Sequence, residues 1–141
     1  MTSTIETWDR LADALEYPAG GPPEVQEQYV DAFDLDPTCS LDVGWHLFGE
    51  APERGRFLAM LRDELARAGV PEGDDLPDHL PTVLRLIGRA DADSASELAA
   101  IVAPAVSGVL ERLEARGSPF ASAIKQVAAL LDGRLRHEEQ P

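Results

Sequence analysis

Cys39-Ser40-Leu41-Asp42-Val43-Gly44-Trp45-His46-Leu47-Phe48 is the stretch on which the fold class turns. Leu41, Val43, Trp45 and Leu47 occupy alternate positions, as they would in a strand. Leu41, Trp45 and Phe48 also fall on one helical face. A strand needs a partner, the chain offers no other convincing strand, and a lone short strand is not stable in water. The stretch is therefore read as helix and the fold as all-α.

The flanks support that reading. Ser3-Thr4-Ile5-Glu6 has the pattern of a capping box with Ser3 as N-cap, and Ile5, Trp8, Ala12 and Leu15 follow at helical spacing. Tyr17-Pro18-Ala19-Gly20-Gly21-Pro22-Pro23 ends this helix. Pro23 can open the next one, because the first turn does not use its missing N–H. Val25, Tyr29, Ala32 and Phe33 form the apolar stripe, and Asp36-Pro37 breaks the helix. Downstream, Pro52 opens a helix with Phe57, Leu61, Leu65 and Ala68 on one face, and Gly69 is its natural C-cap. After a loop, Asp78 is expected to N-cap a helix carrying Val83, Leu84 and Ile87. Ser94-Ala95-Ser96-Glu97 reads as a second capping box ahead of Leu98, Ile101, Ala105, Val109 and Leu113. Pro104 lies within that run and predicts a kink costing ~3 kcal/mol unless packing compensates. Gly117 ends the run. Ser118-Pro119 begins a last helix with Phe120, Ile124, Val127, Ala128 and Leu131, and the polar residues 134–141 read as a frayed tail. The expectation is a single domain, residues 1–141, folded as a bundle of six or seven helices.

Composition narrows the function. A chain of 141 residues with 44% hydrophobic residues can bury a full core without metal or disulfide. Its one cysteine, Cys39, rules out an internal disulfide, and a reducing compartment follows most simply. Residues 1–10 lack the basic-then-apolar pattern of a signal peptide, and no apolar run is long enough to span a bilayer. The expected location is the cytoplasm. A net charge of −14 opposes nucleic acids and anionic membranes and favours a cationic partner. CxxC, HExxH, phosphate-loop and GxSxG patterns are absent. Cys39 and His46 would need two further ligands to make a zinc site. No metal, no cofactor and no catalytic residue are expected.

Two segments do not look like generic helix filler. The first is Tyr29-Val30-Asp31-Ala32-Phe33-Asp34-Leu35, followed by Trp45-His46-Leu47-Phe48-Gly49 and Glu53-Arg54-Gly55. The second is Asp75-Leu76-Pro77-Asp78-His79-Leu80-Pro81. Together they resemble the nitrate-reductase delta-subunit (NarJ-type) family of molybdenum-cofactor assembly chaperones, relatives of the TorD/DmsD group. Those proteins carry a "YV-x-x-FDL" helix, an aromatic segment followed by "RG", and "ELPDHLP". The likeness covers roughly residues 17–87, with Asp75 standing where the family has glutamate. The chain is short for the family, and the interval between Tyr17-Pro18 and Tyr29 is compressed.

The resemblance implies a helical, non-catalytic chaperone. Its partner would be the apo catalytic subunit of a molybdopterin oxidoreductase of the DMSO reductase family, bound through a basic and apolar N-terminal segment until the cofactor is inserted. An adaptor or structural subunit retained in a redox complex is the alternative. The resemblance to TorD/DmsD chaperones also marks Asp78 and His79, with Leu80 beside them in the motif, as peptide contacts. A helix-in-groove mode adds Trp45 and Phe48 as aromatic anchors and His46 as a polar contact. Glu53, Asp74 and Asp75 are the candidate acidic rim. A capping role for Asp78, a turn role for His79 and core roles for Trp45 and Phe48 compete with these readings.

Overall fold

The computed structural model describes residues 4–139, with side chains described through Leu135. Seven α-helices account for the described residues: α1 (Ile5–Ala14), α2 (Pro23–Tyr29), α3 (Val43–Phe48), α4 (Pro52–Ala68), α5 (Leu80–Arg89), α6 (Ala92–Ala115) and α7 (Ala121–Glu139). A π turn, Val30–Asp34, extends α2, and a 3-10 turn spans Pro37–Cys39. The all-α expectation holds.

The local rules act as read, with shifts of a few residues. Pro23 and Pro52 each open a helix in its first turn. Gly69 and Gly117 take positive φ of 70° and 64°, where a Cβ would be strained, and so close α4 and α6. Ser3 lies outside the described residues; the N-cap of α1 is Thr4, whose hydroxyl accepts from the Thr7 N–H. The second capping box is likewise displaced. Asp91 caps α6 by accepting from the Ser94 N–H at 2.9 Å, so Ser94 lies inside the helix. Pro104 sits in an exposed position of α6, and the helix runs through it from Ala92 to Ala115. Helix α7 continues to Glu139, past the point where the polar tail was expected to fray; Gln140 and Pro141 lie outside the described residues.

Helix α6 is the hub, touching α3, α5, α7 and the 3-10 turn. It buries Leu98, Val102, Val106, Val109 and Leu113, and α7 answers with Ile124, Val127 and Leu131. Each such side chain contributes ~1.5–3 kcal/mol of burial energy. Helices α1 and α5 form the second packed pair. A Cβ on Gly88 would lie 2.9 Å from the Cβ of Trp8, so only glycine allows this approach. Charges flank the seam: Arg85 donates to Glu16 and Asp13 at 2.8 and 2.9 Å, and Arg89 donates to both Asp9 oxygens at 2.7 and 2.6 Å.

Tyr29 joins the two pairs. Its ring meets Tyr17, Phe33 and Phe120 edge to face, and its hydroxyl donates to the Leu15 carbonyl at 2.9 Å. Val25 and Ile5, expected on inward stripes, are 37% and 48% exposed. Both sit near a helix start, where few neighbours cover them.

Candidate functional site: an acidic face around the Asp42–His79 bridge

The ambiguous stretch and the Asp78-His79 segment meet in space. The Val43 N–H donates to the Asp78 carbonyl at 3.1 Å, and the Leu80 N–H donates to the Leu41 carbonyl at 2.8 Å. Asp42 and His79 thus form an antiparallel bridge. Of the stretch that alternates like a strand, only Asp42 is bridged to His79, and α3 begins at Val43.

Asp78 and His79 then part company. The Asp78 side chain is 0% exposed. Arg54 holds it, with Nε 3.0 Å from Oδ2 and Nη2 3.3 Å from Oδ1. Gly44 leaves room for the pair, because a Cβ there would collide with the Asp78 carboxylate. The capping expectation for Asp78 is therefore corrected: His79 is the N-cap residue of α5, and no side chain caps that helix. Asp78 turns inward because the arginine of the Glu53-Arg54-Gly55 segment supplies its counter-charge. Leu80 is 2% exposed. Asp78 and Leu80 are buried beneath the bridge and hold it from within.

His79 faces the surface between two carboxylates. Its Nδ1 lies 3.6 Å from Asp42 Oδ1 and its Nε2 3.7 Å from Asp75 Oδ2. Burial alone would lower its pKa, but Asp42, Asp75 and Glu16 together outweigh burial and raise it above the ordinary 6.5. The same contact with His79 holds the Asp42 carboxyl below the usual 3.8, against the opposing effect of burial. A raised histidine pKa means stability present below pH ~6.5 and lost as pH climbs through the folded value. A lowered aspartate pKa means stability lost as pH falls through a value below 3.8. The clamp is therefore strongest between about pH 4 and 6.5. Unfolding free energy, measured by urea titration, should decline from pH 6 to 8. His79→Asn should flatten the part of the decline that general charge repulsion does not explain. An identical pH profile in the variant would refute the clamp.

Two clefts open beside His79. One, about 400 Å³, is lined by Glu16, Val70, Glu72, Asp74, Asp75 and Arg85 among others. The other, about 330 Å³, is lined by Phe33, Asp34, Pro37, Ser40, Asp42 and Trp45. Exposed Tyr17, Leu35 and Leu76 are next in sequence to Glu16, Asp34 and Asp75, which line these clefts. Asp34, Glu16, Asp75 and Asp42 all lie close enough to the Tyr29 phenol to add to the upward push of burial on its pKa. One acidic, partly apolar surface results.

The sequence-derived candidates divide against this surface. Trp45, His79, Asp74 and Asp75 belong to it. Phe48 packs on Phe57 at 5.5 Å and joins the core margin instead. The His46 ring engages the Ser40 carbonyl at 2.6 Å and braces the loop before α3. Glu53 is exposed on α4, paired at 3.8 Å with Arg56, and lines neither cleft. Glu16, Asp34 and Asp42 were missed. Asp34 stands within the quoted Tyr29–Leu35 motif, while Glu16 and Asp42 had only adjacency to singled-out residues as a signal. Glu16, Asp75 and His79 place ligand-type atoms within 4.8 Å of one another. Glu16 has Arg85 as a partner and Asp75 has His79, which accounts for the grouping without a metal.

The fold and this face define a single all-helical domain whose displayed chemistry is carboxylates interleaved with apolar side chains. The family model for the nitrate reductase delta subunit matches residues 1–125, and the chain belongs to that family. It is 31% identical over 101 residues to the nitrate reductase molybdenum cofactor assembly chaperone NarJ of Escherichia coli K12, a match covering 71% of this chain and 43% of the relative. It is 30% identical over 96 residues to the probable nitrate reductase molybdenum cofactor assembly chaperone NarW of the same organism, covering 67% of this chain and 42% of the relative. The chain thus spans less than half the length of the curated relatives it matches. None of the described helices is long and apolar enough to cross a membrane.

Proposed function

We propose that the chain is an assembly chaperone for a molybdenum-cofactor oxidoreductase of the nitrate reductase kind. It binds a basic, apolar N-terminal segment of the apo catalytic subunit and keeps that subunit competent for cofactor insertion before assembly or export. It acts as a binding protein in the cytoplasm and carries out no catalysis.

One observation carries the reading. Glu16, Asp34, Asp42, Asp74 and Asp75 line two clefts together with the half-buried Trp45, and exposed Tyr17, Leu35 and Leu76 are next in sequence to three of them. An amphipathic segment with arginines along its flank matches such a face in polarity and sign. Burial of four or five apolar side chains at ~1.5–3 kcal/mol each, against an association cost of about 4–15 kcal/mol, leaves an affinity between about micromolar and nanomolar. That range lets the chaperone release its partner.

The test is calorimetric titration of the chain with the N-terminal peptide of a nitrate-reductase-type catalytic subunit encoded beside it. Binding near micromolar is expected. It should weaken as salt rises past ~0.1 M, where charges more than about 10 Å apart are screened. A folded, helical protein that ignores this peptide would refute the reading. An affinity indifferent to salt would remove its electrostatic half.

A further inference from the structure

The cleft between the π turn and α3 has a chemistry of its own. Phe33, Pro37 and Trp45 make its apolar walls, and Asp34, Asp42 and Ser40 make its polar lining. The Asp42 side chain is 46% exposed and shares one oxygen with His79. Asp34 is exposed and has no ion-pair partner among the described residues. Arg116, which ends α6, is directed to Asp36 at 3.8 Å and to the Asp31 carbonyl at 2.7 Å.

We propose that this cleft is the subsite for one basic side chain of the bound segment, with arginine preferred over lysine. The proposal rests on the proposed function, in which the chain binds a basic, apolar segment. An aromatic face attracts a cation. A planar guanidinium stacks on such a face and presents a fork of N–H donors to carboxylates, whereas an ammonium is compact and strongly hydrated. Two carboxylates beside a tryptophan meet both requirements of the guanidinium.

The backbone shapes this cleft. The Leu35 N–H reaches the Val30 carbonyl, five residues back, at 3.1 Å. This single π turn carries one more residue than an α-turn and so re-aims the residues after it. Phe33 faces inward against Tyr29 and Phe120. Asp34 lines the cleft, and Leu35, the next residue, is 69% exposed. A turn that places a bare leucine in water gains nothing for the core. It does suit a surface that meets an apolar neighbour of the arginine.

The experiment uses the full chain and a short blocked peptide with leucines at helical spacing and one arginine. Parallel peptides carry lysine or citrulline at that position. Calorimetry gives the affinities, and the two tryptophan indole N–H resonances report location, since Trp8 is buried in the α1–α5 seam. The arginine peptide should move the Trp45 resonance and leave that of Trp8 in place. Citrulline should weaken binding about tenfold, and lysine by less. Asp34→Asn, on an exposed position that keeps the fold, should shrink the arginine-to-citrulline ratio to about twofold while leucine-driven binding persists. Equal affinity for arginine and citrulline, or a still Trp45 resonance in a saturated complex, overturns the subsite and leaves the chaperone reading standing. Failure of every peptide to bind overturns both.

Discussion

Arg54→Met is expected to lower the unfolding free energy by about 3 kcal/mol, read from urea denaturation of the purified chain. The Asp78 carboxylate has no access to water, and Arg54 is its counter-charge, with N–O distances of 3.0 to 3.3 Å. Such a pair need not be more stabilising than an apolar pair of equal volume, because both ions have lost their hydration. Removing one partner is a different matter, since the remaining charge is buried and uncompensated. The usual cost is about 3–5 kcal/mol. Arg54 is 21% exposed, so water can enter in its place and the lower end applies. Asp78→Asn added to the variant should restore part of the loss. Arg62→Met, which breaks the exposed Arg62–Glu72 pair, should cost no more than about 0.5 kcal/mol. Equal effects from the two arginine variants would mean that burial of the pair has been misjudged.

Gly44→Ala is expected to cost about 2 kcal/mol or more, although alanine ordinarily favours a helix over glycine by up to ~1 kcal/mol. The added methyl would collide with the Asp78 carboxylate and stand 3.1 Å from the Phe57 ring. Helix α3 would have to back away, stretching the Val43–Asp78 and Leu80–Leu41 backbone hydrogen bonds at 3.1 and 2.8 Å. Gly55→Ala is the control, since nothing lies within 4 Å of its added Cβ. It should be neutral or stabilising by up to ~1 kcal/mol. If both variants stabilise, the contact between α3 and the Asp78 segment is looser than described.

The fold class was legible because helical periodicity and Gly/Pro punctuation are local signals. Pro23, Pro52, Gly69 and Gly117 each mark a helix end without help from the rest of the molecule. Caps were harder to read. Thr4 and Asp91 compete with neighbouring Ser3 and Ser94 for the same role, and local sequence does not rank such candidates. The site was legible only in part. Trp45, His79, Asp74 and Asp75 were named and lie on the acidic face. The capping reading of Asp78 failed because its partner Arg54 is 24 residues away and on another helix. Asp34 and Asp42 look like ordinary solvated carboxylates in the sequence. Only the π turn and the bridge to His79 bring them together.

The bridge between Leu41-Asp42 and His79-Leu80 also bears on the order in which the molecule assembles. Helices α6 and α7 are joined by a short turn and can pair as neighbours along the chain. The α1–α5 seam and the 41–80 hydrogen bond each close a long loop, whose entropic cost must be met before the contact is rewarded. The C-terminal hairpin therefore has the kinetic advantage, and the face around His79 is completed last. In pulse-labelled hydrogen exchange during refolding, the Leu80 amide should gain protection after the amides of α6; simultaneous protection would contradict this order. A chain arrested midway would hold a formed hairpin and no working face.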